Sequence, residues 1–371
     1  MTHKMESHLA STSGNLQAAH ETAAVYRIID ANANRAGEGL RVAEDYLRFF
    51  LQDEFLSRAC KQLRHDLAVT ISALDREKLL SCRSTLTDVG TSTKTDTEYD
   101  RHTLFDVSIA NLRRSAEALR TLEEFAKLIS TAAAEEFESL RYRSYTVEKA
   151  VNQLQRANRR LQRARLYVLA NLSDSKWKQK IESLVSAGVD VVQLRDKTKC
   201  DRELVAMARF IRRATVGTGT LFIVNDRPDI AQLIQADGVH VGQEEMTVAD
   251  VRSIVGPDML IGVSTHTIAQ AEQAVLAGAD YLGVGPVFAS STKKFQRLSE
   301  LSFVEEVACH IGLPAFAIGG IRPSNLDSVL AAGATRVALS EAIWLANDPA
   351  SAVRQIRKKL VDTEELEYSE D

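Results

Sequence analysis

Eight short apolar runs recur through the C-terminal half of the chain, each long enough for one strand. They fall at 166–171, 190–195, 221–225, 238–242, 260–264, 281–285, 315–318 and 336–340. Between them, stretches such as 174–187, 201–214, 267–277 and 301–311 carry apolar residues at helical spacing. Strand–helix alternation of this kind builds a parallel sheet, and eight units in about 200 residues fit a (β/α)8 barrel. Ala187-Gly188-Val189-Asp190, Ala277-Gly278-Ala279-Asp280 and Ala332-Gly333-Ala334-Thr335 close helices, with glycine supplying the left-handed cap that turns the chain into the next strand. The expected fold class is α/β: a TIM barrel over 164–362, preceded by an all-α helical domain.

From Tyr26 to about Arg160 the apolar residues keep helical spacing, and all six prolines lie at Pro228 or later. Residues 1–24 read as a disordered tail, 25–160 as the helical domain and 363–371 as an acidic tail. A Ser/Thr/Asp-rich stretch, Ser81 to Thr103, interrupts the helices and reads as a long loop, a feature often tied to function. The basic, glutamine-rich segment from Gln153 to Arg165 reads as a solvated helix bridging to the barrel.

The helical half also contains a repeat. Asn32, Arg35, Glu38, Leu40, Arg41, Glu44, Asp45 and Tyr46 recur 79 residues later as Asn111, Arg114, Glu117, Leu119, Arg120, Glu123, Glu124 and Phe125. One reading is a duplicated helix pair with surface ion ladders, each pair worth ~0.3–0.5 kcal/mol. The other sets Asn32, Arg35, Glu38 and Arg41 against Asn111, Arg114, Glu117 and Arg120 across a polar groove that binds anions and metal. No G-x-x-x-x-G-K-[ST] motif accompanies it.

Composition narrows the class. A formal net charge of −4 gives no electrostatic footprint for nucleic acid or an acidic membrane surface. Met1 to Thr22 lack the apolar core of a signal peptide, and no apolar run approaches the roughly 18 residues of a membrane span. Cys60, Cys82, Cys200 and Cys309 are scattered without a C-x-x-C pair, which suits free thiols in a reducing cytoplasm. The expectation is a cytoplasmic protein with small-molecule partners, no nucleic acid and no membrane; a homo-oligomer is left open.

Chemistry concentrates where the strands end. Gln193-Leu194-Arg195-Asp196-Lys197, Asn225-Asp226, Gly242-Gln243-Glu244-Glu245, Ser264-Thr265-His266, Ser290-Ser291-Thr292-Lys293, Gly319-Gly320 and Leu339-Ser340 each follow an apolar run. In a barrel all C-terminal strand ends face one mouth, so these groups converge. Cations, paired acids and glycine-rich turns there suit phosphates and a divalent metal. Gln193, Arg195 and Lys197 alternate and so share one face. His240 and His266, also near strand ends, read as packing or hydrogen-bonding residues.

This ordered set, over about 164–362, resembles thiamine-phosphate synthase. The resemblance implies condensation of 4-amino-2-methyl-5-hydroxymethylpyrimidine diphosphate with 4-methyl-5-(2-phosphooxyethyl)thiazole, with release of diphosphate. It assigns the pyrimidine diphosphate to Gln193, Leu194, Arg195, Asp196, Lys197, Asn225, Ser264 and Lys293, with Arg195, Lys197 and Lys293 as the catalytic cations. It assigns the thiazole phosphate to Ser290, Ser291, Thr292, Gly320, Leu339 and Ser340, and Mg²⁺ to Asp226 and Glu245. Glu245 stands where the family's G-Q-E-D signature has Asp, and Ser290 where its T-x-T-K loop has the first Thr. The helical half, by its 32–45 segment and the Asp88-Val89-Gly90 loop, resembles a monofunctional hydroxymethylpyrimidine-phosphate kinase, which implies ATP as a further substrate. A dimerisation module is the alternative for that half. For the barrel the alternatives are a thiazole tautomerase or a precursor-binding module without turnover.

Overall fold

The computed structural model describes residues 2–84, 100–170, 172, 175–289 and 300–367, with side chains for those from 17 to 361. The chain divides into two compact units, Met1–Val151 and Asn152–Asp371.

The first unit is helical. It comprises α1 (Thr2–Phe49), α2 (Glu54–Ser72), α3 (Arg76–Ser81), α4 (Leu104–Ala126) and α5 (Thr131–Leu161), the last turns of α5 counting with the second unit. α1 takes in residues 2–24 of the polar segment 1–24 that composition suggested was a disordered tail. Asp53 caps α2 through its carboxylate on Leu56 N–H, and Thr103 and Asp106 form a reciprocal capping box on α4.

The repeat shapes this unit. Leu40 and Leu119 are fully buried, and α1 crosses α4 closely at Gly39, where a Cβ would lie 2.3 Å from Ser115 Oγ. Ser115 Oγ donates there to Ala36 O, its own repeat equivalent 79 residues earlier. Each repeat also buries one glutamate against an arginine of the following helix: Glu44 with Arg64 (2.9 Å) and Glu123 with Arg141 (2.8 Å). Arg143 and Asp66 pair α5 with α2 at 2.7 Å.

The second unit is a closed parallel barrel in strand order 1 to 8. Its strands are β1 (Leu166–Ala170), β2 (Val191–Leu194), β3 (Leu221–Asn225), β4 (Gly238–Val241), β5 (Leu260–Thr265), β6 (Tyr281–Val284), β7 (Ala315–Ile318) and β8 (Val337–Leu339). The helices are α6 (Trp177–Ser186), α7 (Asp201–Thr215), α8 (Pro228–Leu233), α9 (Val248–Val255), α10 (Ile268–Ala277), α11 (Glu300–His310), α12 (Leu326–Ala331), α13 (Glu341–Trp344) and α14 (Pro349–Glu367). α14 thus runs into the acidic stretch 363–371. Gly278 caps α10 in the left-handed region at φ 95°, as its place after the helix predicts. The interior packs Tyr167, Val191, Ile223, Leu260, Tyr281, Phe316 and Ala338, with Leu161 and Ala164 closing the N-terminal end.

Three aspartates seal that end. Asp190, Asp237 and Asp280 each accept, through the side chain, a backbone N–H of the preceding strand: Leu166, Phe222 and Ile261, all at 2.8 Å. Each also meets an arginine: Arg357, Arg212 and Arg252. Asp280 is fully buried and holds Arg156 as well, at 3.1 Å. Asp280→Ala strands Ile261 N–H and leaves two arginines without their carboxylate, so urea denaturation should register a loss of about 3–5 kcal/mol.

Candidate active site

The strand ends gather around one cation. β2 carries the chain to Lys197, whose Nζ lies 3.1 Å from Asp226 Oδ2 and 3.4 Å from Glu245 Oε1. The Asp226 carboxylate, with Glu245 adding to it, holds the Lys197 ammonium above its ordinary pKa. Asp226 follows β3 with φ 61°, a left-handed conformation uncommon outside glycine, and its N–H donates to His240 O at 2.8 Å. Strain of that kind persists only where surrounding structure over-determines it, and it aims the carboxylate back over the mouth. Gly242 makes room for Glu245, since a Cβ there would fall 2.3 Å from Glu245 Oε2.

Beneath the charged groups lies a buried polar line. Gln193 is buried and donates to Tyr167 Oη at 2.9 Å. Tyr167 Oη is 3.2 Å from Tyr281 Oη, which is 3.3 Å from His240 Nδ1; His240 Nε2 is 2.9 Å from Ser264 Oγ. Asn225 ends β3 directly beside His240 in register. Burial, reinforced by the Arg195 charge, pushes the His240 pKa from 6.5 to about 4, against the pull of Glu245. The imidazole is neutral at physiological pH.

Not every expected residue joins this group. Leu194 is buried on the face of β2 opposite Gln193, and Asp196 spends its carboxylate on Thr198 N–H and Oγ1 within its own loop. Gly319 and Gly320, at φ 105° and 61°, form the turn after β7; a Cβ on Gly320 would lie 2.6 Å from Ala289 O. Leu339 is buried, and Ser340 Oγ donates to Leu169 O at 3.3 Å. Ser290, Ser291, Thr292 and Lys293 lie outside the described residues.

Among the described residues of the helical unit, the α1–α4 crossing itself holds no charged groove. Asn32 and Asn111 turn their amides onto carbonyls of their own helices, Ile28 O and Val107 O, both at 2.8 Å. Arg35, Glu38, Arg41, Arg114, Glu117 and Arg120 are exposed. The physical reason is the crossing itself: alanine, leucine, glycine and serine fill the α1–α4 contact, which leaves no space for charged side chains. Arg41 and Arg120 instead pair along the helix with Asp45 and Glu124.

Tyr167 and Tyr281 were legible only as apolar strand residues. The available signal was that a buried tyrosine hydroxyl needs a partner, and two of them in aliphatic strands imply a polar path.

The second unit is thus a (β/α)8 barrel whose mouth sets Lys197 between two carboxylates, with glycine turns beside them. Residues 166–343 match the family described as thiamine monophosphate synthase, and residues 27–150 match the ThiD2 family. A thiamine-phosphate synthase of Thermosynechococcus vestitus is 42% identical over 348 residues, covering 93% of this chain and 98% of that protein. One from Rhodopirellula baltica is 43% identical over 334 residues, covering 87% and 89%. A solved thiamine phosphate pyrophosphorylase from Pyrococcus furiosus superposes with a TM-score of 0.50 at 30% identity, over 54% of this chain and 96% of its own. The chain belongs to the thiamine-phosphate synthase family and is a transferase. No helix among the described residues is long and apolar enough to cross a membrane.

The His240 shift has a stability consequence. Between 6.5 and about 4 the unfolded chain binds a proton there that the folded barrel does not. Stability should therefore fall as pH falls through that window and level off below it, by up to about 3 kcal/mol. His240→Gln should remove that part of the pH dependence in urea denaturation, and the wild-type imidazole should stay neutral in NMR titration down to about pH 5.

Proposed function

We propose that the barrel joins the pyrimidine diphosphate to the thiazole phosphate through a dissociative substitution. The C–O bond from the pyrimidine methylene to diphosphate breaks, and its electron pair leaves with the diphosphate. The electron-rich aminopyrimidine stabilises the resulting cation, and the thiazole nitrogen supplies the pair that forms the new C–N bond. No proton is exchanged in the bond-making step, which accords with a neutral His240. The observation that carries the reading is the convergence of Lys197, Asp226 and Glu245 at the strand ends.

In this reading Gln193 and Asn225 orient the pyrimidine, while Arg195, Lys197 and Lys293 offset the charge growing on diphosphate. Ser264 hydrogen-bonds the diphosphate. Backbone groups of Gly320, Leu339 and Ser340, with Ser290, Ser291 and Thr292, receive the thiazole phosphate, as loops after strands 7 and 8 commonly do in barrels. The two substrates are held in line, which supplies much of the acceleration.

Mg²⁺ fits the donor set. Asp226 and Glu245 direct oxygens at one point, where the Lys197 ammonium is the cation they hold. Among the described residues no group of three or more His, Cys, Asp or Glu gathers. Two carboxylates plus water and substrate oxygens are the usual Mg²⁺ environment. Bound there, the ion would supply charge neutralisation for the diphosphate. Glu245 is one methylene longer than Asp, and Gly242 leaves room for that extra reach.

Asp226→Ala and Lys197→Ala should each lower kcat by about 10²–10³ without unfolding the barrel, while Glu245→Asp should keep activity. Steady-state formation of thiamine phosphate with Mg²⁺ measures all three. Wild-type turnover in Asp226→Ala would overturn the site assignment. Absence of product from the folded wild-type chain would leave a thiazole tautomerase or a binding module.

For the helical unit we propose phosphorylation of the pyrimidine monophosphate by ATP. The ThiD2 match over 27–150 supports it, together with the exposed charged residues Arg35, Glu38, Arg41, Arg114, Glu117 and Arg120. Asp88, Gly90 and Lys94, which the Ser81–Thr103 loop would bring over a nucleotide, lie outside the described residues. Given pyrimidine monophosphate, thiazole phosphate, ATP and Mg²⁺, the intact chain should yield thiamine phosphate. Product only with ready-made diphosphate would make the unit a dimerisation module.

A further inference from the structure

The polar line under the site is anchored by a fixed donor at its Gln193 end. The amide nitrogen of Gln193 can only donate, and it faces Tyr167 Oη. Tyr167 accepts there, and in the direction that carries protons on from Gln193 its own hydroxyl donates to Tyr281 Oη, a contact in which either oxygen can be the donor. Tyr281, having accepted, has its proton free for His240 Nδ1. A neutral imidazole that accepts at one nitrogen carries its proton on the other, so Nε2–H donates to Ser264 Oγ. Burial keeps both tyrosine hydroxyls protonated, pushing their pKa values up.

We propose that Tyr167, Tyr281 and His240 form a positioning relay that fixes Ser264 as an acceptor toward the barrel and so turns its hydroxyl proton outward, as a donor to the departing diphosphate. The inference rests on the functional reading above, in which Ser264 meets that group. Reversed, the same line would have Ser264 donate inward and leave only lone pairs toward a polyanion. Direction is therefore what gives the serine its use.

The barrel is cut to hold this line. A Cβ on Gly262 would fall 2.1 Å from Tyr281 Cζ and 2.5 Å from His240 Nδ1, and one on Gly283 would be 3.2 Å from His240 Cε1. β5 and β6 thus omit side chains where the two rings lie. Tyr281 also packs edge-on against Phe316, at 5.7 Å between centroids, which holds its ring in place. Packing alone would be met by aliphatic residues, without buried hydroxyls that cost about 1–3 kcal/mol when unpaired.

Tyr281→Phe keeps the ring and removes one donor; Tyr167→Phe breaks the line one step earlier and serves as the second variant. Either should lower kcat about tenfold, the worth of one hydrogen bond, with KM for the thiazole phosphate unchanged. In a Ser264→Ala background neither should cost more, because the relay acts through that hydroxyl. Long-range ¹H–¹⁵N spectra of ¹⁵N-histidine-labelled protein should place the His240 proton on Nε2, and Tyr281→Phe should give a mixture of tautomers. A wild-type proton on Nδ1, or an equal loss from Tyr281→Phe with and without Ser264, overturns the relay. The spectra need no turnover, so a chain that made no thiamine phosphate would sink the functional reading and still leave the tautomer to judge the relay's direction.

Discussion

The barrel depends on how its N-terminal rim satisfies backbone groups. At that rim the amides of Leu166, Phe222 and Ile261 find a carboxylate from the start of the next strand. The same aspartates continue the ladder with their own backbones: Asp190 N–H donates to Leu166 O, Asp237 to Phe222 O and Asp280 to Ile261 O. One residue type thus joins consecutive strands twice, and an arginine beside each offsets its charge, which at Asp280 is fully buried. The device recurs at β2, β4 and β6, so it ties strands one to two, three to four and five to six. Buried unpaired backbone groups cost free energy comparable to a lost hydrogen bond, which is why a rim without such acceptors would fray.

With one end sealed, the other can carry charge. At the mouth, Asp226 adopts a strained backbone, Lys197 is drawn from the barrel wall by two carboxylates, and glycines at 242, 319 and 320 stand where side chains would collide. Those choices disfavour local stability and favour a fixed polar geometry. The aspartate rim and the aliphatic interior offset them.

Much of this was legible in the sequence. The eight apolar runs marked the strands, and their polar endings marked the mouth, because a parallel barrel leaves strand ends only one place to converge. What periodicity could not supply was register across the barrel. Tyr167 and Tyr281 are 114 positions apart and meet only because the sheet closes, so their link to His240 stayed hidden among core residues. Asp190 and Asp280 were read for the glycines that precede them, while their own carboxylates do as much for the rim. In the helical half the repeat was visible but its meaning was not. Glu44 and Glu123 face inward to arginines of the following helices, and spacing alone does not separate that from a surface ladder.

The close crossing at Gly39 bears on how the two repeats can pair. The two repeats are not interchangeable there: the second repeat has Ala118 where the first has Gly39, and Ser115 where the first has Ala36. Two copies of the first hairpin would set alanine against glycine and leave a gap; two copies of the second would press serine against alanine. A pair of identical hairpins would have to use a residue acceptable on both sides of its axis. Joined in one polypeptide, each side can differ alone, and the contact works as a key cut for one lock. That asymmetry also discourages like hairpins of neighbouring chains from pairing with each other, since the right surface is offered only by the unlike hairpin.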